Sequence, residues 1–187
     1  YTATLYMQKD GNIELLDGPV EFNVNLLREG VLKGASFDEY NSHFSDLALL
    51  YKKYSQYSDR FNRLESKLNL LEKALLLSES LSENSFAELK NVKDEYLSIK
   101  DKYGTSPSKN EIGEWDKPTI GSRLSIANQG LSTFYGPTGM NKYNLEVAKK
   151  LVDEYKDDVE SINTMVEDLE EKIKDLNHPH ISGSGIN

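Results

Sequence analysis

The stretch LEVAKKLVDEYKDDVESINTMVEDLEEKIKDL, residues 145–176, decides the fold. Its apolar members Leu145, Ala148, Val152, Tyr155, Val159, Ile162, Val166, Leu169, Ile173 and Leu176 follow one another at alternating gaps of 3 and 4. That spacing keeps them on one face of an α-helix through successive heptads. A stripe of this kind left in water forgoes roughly 25 cal/mol for every Å² of apolar surface it could bury, so it demands partner stripes.

Two further stretches supply them. Ser36-x-x-Glu39 is a capping box in which the hydroxyl and the carboxylate satisfy each other's free backbone N–H groups, so a helix starts there. Phe37, Tyr40, Phe44, Leu47, Tyr51, Tyr54, Tyr57, Phe61, Leu64, Leu68, Leu71 and Leu75 then recur at helical spacing. Such a helix is on the order of 55 Å long. The gap of 3 occurs twice in succession around Tyr54, a stammer expected to overwind or bend the helix. The segment Ser78 to Ser85 breaks the pattern, and Ser85-x-x-Glu88 offers a second capping box ahead of Phe86, Leu89, Val92, Tyr96, Ile99 and Tyr103, with Gly104 as the stop. Between Thr105 and Gly139 fall Pro107, Pro118, Pro137, the only Trp, and a short helical pattern, Ile120, Leu124 and Ala127, closed by Gly130. This is an ordered crossover with one short helix. Thr138 is positioned to cap the last helix, Pro179 ends it, and the remaining residues have the composition of a flexible tail.

Residues 1–27 follow the other period. Ala3, Leu5 and Met7 alternate with their neighbours, Asp10-Gly11 marks a tight turn, and Val20, Phe22, Val24 and Leu26 alternate again, a small β-meander. Two or three strands alone are marginal in water, so this piece packs on the helices or completes a sheet formed by other strands. Tyr1 opens directly into YTATLYM without an initiator Met, which reads as a C-terminal piece of a larger protein. The expected fold is therefore mainly α, an antiparallel bundle of three long helices plus one short helix with a small N-terminal β-meander. The expected divisions are a strand segment at 1–35, the bundle at 36–178 and a tail at 179–187. Short connections favour antiparallel packing inside one chain. A parallel dimer zipped through Val152, Val159, Val166 and Ile173 is the competing arrangement.

Composition narrows the function. With 37% hydrophobic and 28% charged residues the chain suits long, thin helical packing. Lys and Arg number 22 against 31 Asp and Glu, and a net charge of -9 repels nucleic-acid phosphates and anionic lipid surfaces. Neither a membrane-spanning run nor a signal peptide is visible in it, so neither nucleic acid nor membrane insertion is expected. The absence of Cys excludes disulfides, thiolate zinc sites and cysteine nucleophiles.

No catalytic, cofactor-binding or metal-binding residue is assigned, and no cofactor. His43 stands apart from His178 and His180, which flank the helix-ending Pro179, whereas a metal needs three convergent ligands. The carboxylate pairs Asp157-Asp158 and Glu170-Glu171 lie off the stripe on the wet face, where nothing raises a pKa toward acid catalysis. Tyr40, Tyr51, Tyr54 and Tyr57 could stack on sugar rings, but sharing a face with Phe37, Phe44 and Phe61 marks them as core. Gly136-Pro137-Thr138-Gly139 reads as a helix entrance rather than a phosphate loop.

Lys117-Pro-Thr-Ile-Gly-Ser-Arg-Leu124, then Phe134-Tyr-Gly-Pro-Thr138 and a long heptad helix, resembles the C-terminal region of large bacterial exported proteins with sortilin-type, Asp-box (BNR) repeat β-propellers, often labelled glycosyl hydrolases. There a Pro-Ser-Ile-x-x-Arg-Leu segment and a later Pro-Thr helix start recur in the same order, and Gly18-Pro19-Val-Glu-Phe22 leading into the first long helix is similar as well. Thr119 stands in place of the usual Ser and keeps the capping hydroxyl. The resemblance implies export to the periplasm, cell surface or medium, a propeller upstream as the chief partner, and any glycosidase or peptide-binding activity located there. Under it, the chain is a non-enzymatic helical accessory domain that braces or spaces the propeller. A coiled-coil oligomerisation module and a carbohydrate-binding accessory domain are the alternatives, with a second copy or another protein as partner.

Overall fold

A computed structural model of the chain describes residues 1–25, 31–78, 83–133 and 135–174. Leu26, residues 28–30, Phe134, Leu176, His178, Pro179, His180 and the tail lie outside them. Two compact units divide after Lys33.

The first unit is a hairpin of β1 (Thr2–Lys9) and β2 (Asn12–Glu21), paired antiparallel. Asp10 and Gly11 both take positive φ, 52° and 83°, the backbone of a two-residue turn whose twist matches the strands it joins. This turn, not the alternation, sets the register. Pairing starts at Asn12, well before the alternating Val20–Val24 run, so the expected meander is two strands among the described residues. Register shifts on either side of Leu5 mark bulges, and a Cβ at Gly18 (φ 99°) would stand 2.7 Å from the Ala3 carbonyl oxygen, so glycine is required there. The open end closes with Phe22 N–H donating to the Tyr1 carbonyl and the two rings stacked at 5.7 Å.

The second unit is a mainly α bundle. Its helices are α1 (Phe37–Leu76), α2 (Glu83–Tyr103), α3 (Pro107–Glu111), α4 (Ile120–Gln129) and α5 (Gly139–Lys174). Ser36 caps α1 by accepting from Glu39 N–H, but Glu39 turns to Lys142 instead of closing the box. Helix α2 starts at Glu83, ahead of the expected cap at Ser85. The five-residue α3 was not foreseen; Pro107 opens it, where proline's missing N–H does no harm. Thr119 caps α4 by accepting from Ser122 N–H. At α5, Thr138 and Asn141 cap each other, Thr138 N–H donating to Asn141 Oδ1 and Asn141 N–H to Thr138 Oγ1.

Contacts between helices give their directions. Tyr57 meets Glu160, Arg60 meets Asn163 and Asp46 meets Lys149, each at a sequence separation of 103, so α1 and α5 run parallel and in register. Glu72 pairs with Lys93 and Glu65 with Lys100, while Glu88 pairs with Lys172 and Asp158 with Lys102, so α2 runs antiparallel to both. Helix α4 takes the same direction: Arg123 bonds Asn144 and the Ile126 carbonyl meets Asn141 on α5, while the Ala127 carbonyl meets His43 and the Leu131 carbonyl just past α4 meets Tyr40 on α1. Antiparallel packing thus holds between consecutive long helices, α1 with α2 and α2 with α5, and the first and last long helices are parallel, as three columns require. The third column is divided, with α2 covering the Phe61–Leu75 length of α1 and α4 covering the Tyr40–Leu50 length.

The α5 stripe is buried from Leu145 to Ile173 as its spacing predicts, and Leu89, Val92, Tyr96 and Ile99 of α2 face it. Helix α1 corrects the expected seam. Phe37, Phe44 and Tyr51 are exposed, Phe44 by 54%, whereas His43 and Leu50 are buried. The seam is Tyr40, His43, Leu47, Leu50, Tyr54, Tyr57, Phe61, Leu64, Leu68, Leu71 and Leu75, whose gaps alternate 3 and 4 without interruption. There is no stammer. Constant periodicity with α5 outweighs the greater apolarity of Phe44 over His43, because a one-residue shift turns a helix by about 100° and would swing the stripe out of the interface.

Where α1, α2 and α5 meet, rings fill the centre. Phe61 stacks on Tyr96 at 4.5 Å, and Tyr155 meets Tyr103 edge-on at 4.8 Å. Burial, followed by the Glu65 charge and hydrogen bond, pushes the Tyr96 hydroxyl up to about 12. Burial also raises Tyr103 to about 12, with a hydrogen bond to Asp158 adding to it.

The corrected seam yields a direct comparison. Leu50→Ala should lower the free energy of unfolding by about 2–5 kcal/mol, and Tyr51→Ala by about 0.5 kcal/mol or less, in urea titrations followed by far-UV circular dichroism. The reverse order would restore the stammered register.

Candidate functional site

The residues with chemical potential in the sequence are brought mostly into structural roles. His43 Nε2 lies 3.0 Å from the Ala127 carbonyl oxygen, so it is the protonated, donating nitrogen and pins α4 to α1. Asp158 accepts from Lys102 Nζ at 2.8 Å and Tyr103 OH at 2.7 Å. Burial pushes its carboxyl up, but those two bonds outweigh burial and hold it below the usual aspartate value, the opposite of what a general acid needs. Its neighbour Asp157 lies near Lys156, and Glu170 pairs with Lys67 and Lys174. Tyr54 and Tyr57 are half-buried against the core, the latter donating to Glu160, and Tyr40 OH donates to the Leu131 carbonyl at 2.9 Å. Only Tyr51 of the four is exposed, so they form no shared platform.

A groove of about 310 Å³ lies between α1 and α5, lined by Glu39, Ser42, His43, Asp46, Lys142, Leu145 and Glu146. Its charges neutralise one another: Lys142 with Glu39, and Lys149 beside it with both Asp46 and Glu146. Among the described residues no group of three or more His, Asp or Glu stands where it could hold a metal ion.

Beneath this groove a polar layer joins α4 to α5, and sequence reading missed it. Asn144 is buried, accepts from Arg123 Nη1 at 3.0 Å and donates to the Met140 carbonyl. Asn141 is buried and donates to the Ile126 carbonyl at 2.6 Å. Arg123 Nε is buried without a partner among the described residues. The signal was available: Asn141 continues the α5 stripe four residues before Leu145, in keeping with the alternation of 4 and 3.

No protein-family model, curated protein or solved structure matches the chain.

Outside the core, large apolar side chains are exposed at scattered positions of the bundle, Phe44, Leu49, Leu76, Leu97 and Met140 among them, and in two further places of different character. In the hairpin, Leu5, Tyr6, Ile13, Leu15, Leu16 and Val20 are exposed, and every residue of β1 is. In the segment between α2 and α4, Trp115 is 97% and Ile112 70% exposed. That segment is tied down at its base. Asp116 accepts from Ser106 N–H at 2.7 Å and Lys117 N–H at 2.8 Å, and pairs with Lys109. Lys117 Nζ donates to the Asp101 carbonyl at 2.7 Å, and Glu114 N–H to the Lys109 carbonyl at 2.9 Å across Gly113 at φ 71°. The backbone bonds from Ser106 and Lys117 lower the Asp116 carboxyl to about 2.

A free aspartate protonates near 3.8 and Asp116 in the fold near 2, so the anchor contributes fully above about pH 4 and is lost as pH falls toward 2. Since the chain has a single Trp, fluorescence anisotropy reads the loop directly. It should stay level from pH 7 to about 4 and drop between about 4 and 2, and Asp116→Asn should show the lowered value already at pH 7. Equal anisotropy of the two proteins at pH 7 would show that Asp116 does not hold the loop.

Proposed function

We propose that this chain is a non-catalytic structural and interaction domain, its bundle serving as a stiff brace or spacer for a neighbouring sheet structure. The observation that carries this is a contrast. The bundle buries continuous stripes of its own, whereas in the hairpin every residue of β1 and all but Gly18 of β2 are exposed, large apolar side chains included. Two strands with bare apolar side chains call for more sheet or another apolar surface. An upstream β-propeller of the same protein, exported across the inner membrane, supplies such a surface. This placement rests on the Lys117–Leu124 and Phe134–Thr138 resemblance to the C-terminal regions of sortilin-type, Asp-box repeat proteins. Two capping hydroxyls of those segments, Thr119 and Thr138, sit at the starts of α4 and α5, which gives them a structural reason to recur. Any glycosidase-like activity then belongs to the propeller.

The burial of the α5 stripe by α1, α2 and α4 of the same chain favours this reading over a zipper between two copies, and the inward tyrosines favour it over a sugar platform. No described helix is long and apolar enough to cross a membrane.

Amide hydrogen exchange tests the proposal. In the intact parent protein the strand amides of residues 2–21 should exchange at least about tenfold more slowly than in the isolated chain, and the isolated chain should sediment as a monomer at micromolar concentration. Equal exchange in both contexts would refute the docking of the hairpin, and a dimer would favour the oligomerisation module.

A further inference from the structure

An exposed tryptophan is unusual because its large apolar surface gains more from burial than any other side chain's, and because tryptophan leads the residues that anchor protein interfaces. Trp115 is the chain's only one, it is 97% exposed, and Ile112, three residues before it, is exposed too. The loop that shows them is held by Asp116 and Lys117 through bonds to residues 101, 106 and 109, so little ordering remains to be done when the two side chains are covered. The charges beside them are one-sided. Lys109 is engaged by Asp116 and Lys117 by the Asp101 carbonyl, while the Glu111 and Glu114 carboxylates have no partner among the described residues.

We propose that the Ile112–Trp115 turn is a docking knob for a protein partner that offers an apolar cleft rimmed by Lys and Arg. The apolar pair enters the cleft, and Glu111 and Glu114 meet the basic rim, which steers encounter and fixes orientation. Nucleic acid and anionic lipid fit badly, since a chain of net charge -9 with two unpaired carboxylates at the contact repels both. A sugar ring would use the indole face but gains nothing from the aliphatic Ile112 beside it. This inference rests on the reading of the chain as an interaction domain and names a surface on the second unit. The strand amides of 2–21 do not depend on Trp115, so the two proposals fail separately.

The test is a selection of folded helical-repeat scaffolds with randomised concave surfaces against the full chain, with a glycan array run beside it. Selected scaffolds should converge on Lys and Arg around an apolar pocket and shift Trp115 emission to the blue. Their binding should weaken by at least about 30-fold with Trp115→Ala and several-fold, with a shallower salt dependence, in the Glu111→Gln, Glu114→Gln double variant. An unchanged far-UV spectrum and thermal transition will show that Trp115→Ala is folded, as its exposure leads one to expect. Scaffolds that ignore Trp115→Ala, pockets without basic enrichment, a failure to select binders, or a glycan whose binding is lost in Trp115→Ala would each overturn the proposal.

Discussion

The mutual burial of two parallel heptad stripes, on α1 and α5, is the constraint from which the remainder of the bundle follows. Each Leu, Ile or Val taken from water contributes roughly 1.5–3 kcal/mol, and the two stripes stay opposite each other for the whole described length of α5 only if both keep the same period. The fixed separation of 103 residues between Asp46 and Lys149, Tyr57 and Glu160, and Arg60 and Asn163 is the visible record of that match. Such exposed pairs are individually worth little, between about 0 and 1 kcal/mol. They do not by themselves select the register, since a shift by one heptad sets Lys53 opposite Glu160 and Asp46 opposite Lys156, pairs of the same kind as Lys53 with Asp153 and Asp46 with Lys149.

Two parallel helices leave a groove that a third must fill, and here the filling is shared. The helix α2 is too short for the whole groove, and α4 completes it. The change of helix has two consequences. One is the polar layer of His43, Asn141, Asn144 and Arg123, whose directional bonds add to the buried Ile120, Leu124 and Ala127 in tying the short helix to α1 and α5. The other is the segment between them, free to leave the groove, which carries α3 and the anchored turn at Trp115.

Much of this was legible in the sequence, and the failures have physical reasons. In α5 the stripe is aliphatic and stands out against charged neighbours, so its period could be read without error. The Thr119 cap and the Ile120, Leu124, Ala127 face of α4 were equally plain. In the first half of α1 the aromatic series Phe37, Phe44 and Tyr51 points to a register one residue away from the buried His43 and Leu50, and the stammer at Tyr54 is the mark of that mismatch. Strict alternation of 3 and 4 would have selected the buried residues. The β2 strand was placed too late because its first half is recruited by the Asp10-Gly11 turn rather than by an alternating pattern. The Asp116 anchor was not readable at all, since a loop carboxylate acquires its partners only when the chain has folded.

The central claim is that α1 and α5 of one chain lie parallel in a single register. The most direct measurement is cross-linking of engineered cysteines, which the chain itself lacks. Lys53→Cys with Asp153→Cys, at the site of an ion pair in the fold, should be joined by a short bismaleimide at monomer mass, and faster than Lys53→Cys with Glu160→Cys, displaced by about two helical turns. Linkage between two chains, or a displaced pair that reacts as fast or faster, would contradict the account.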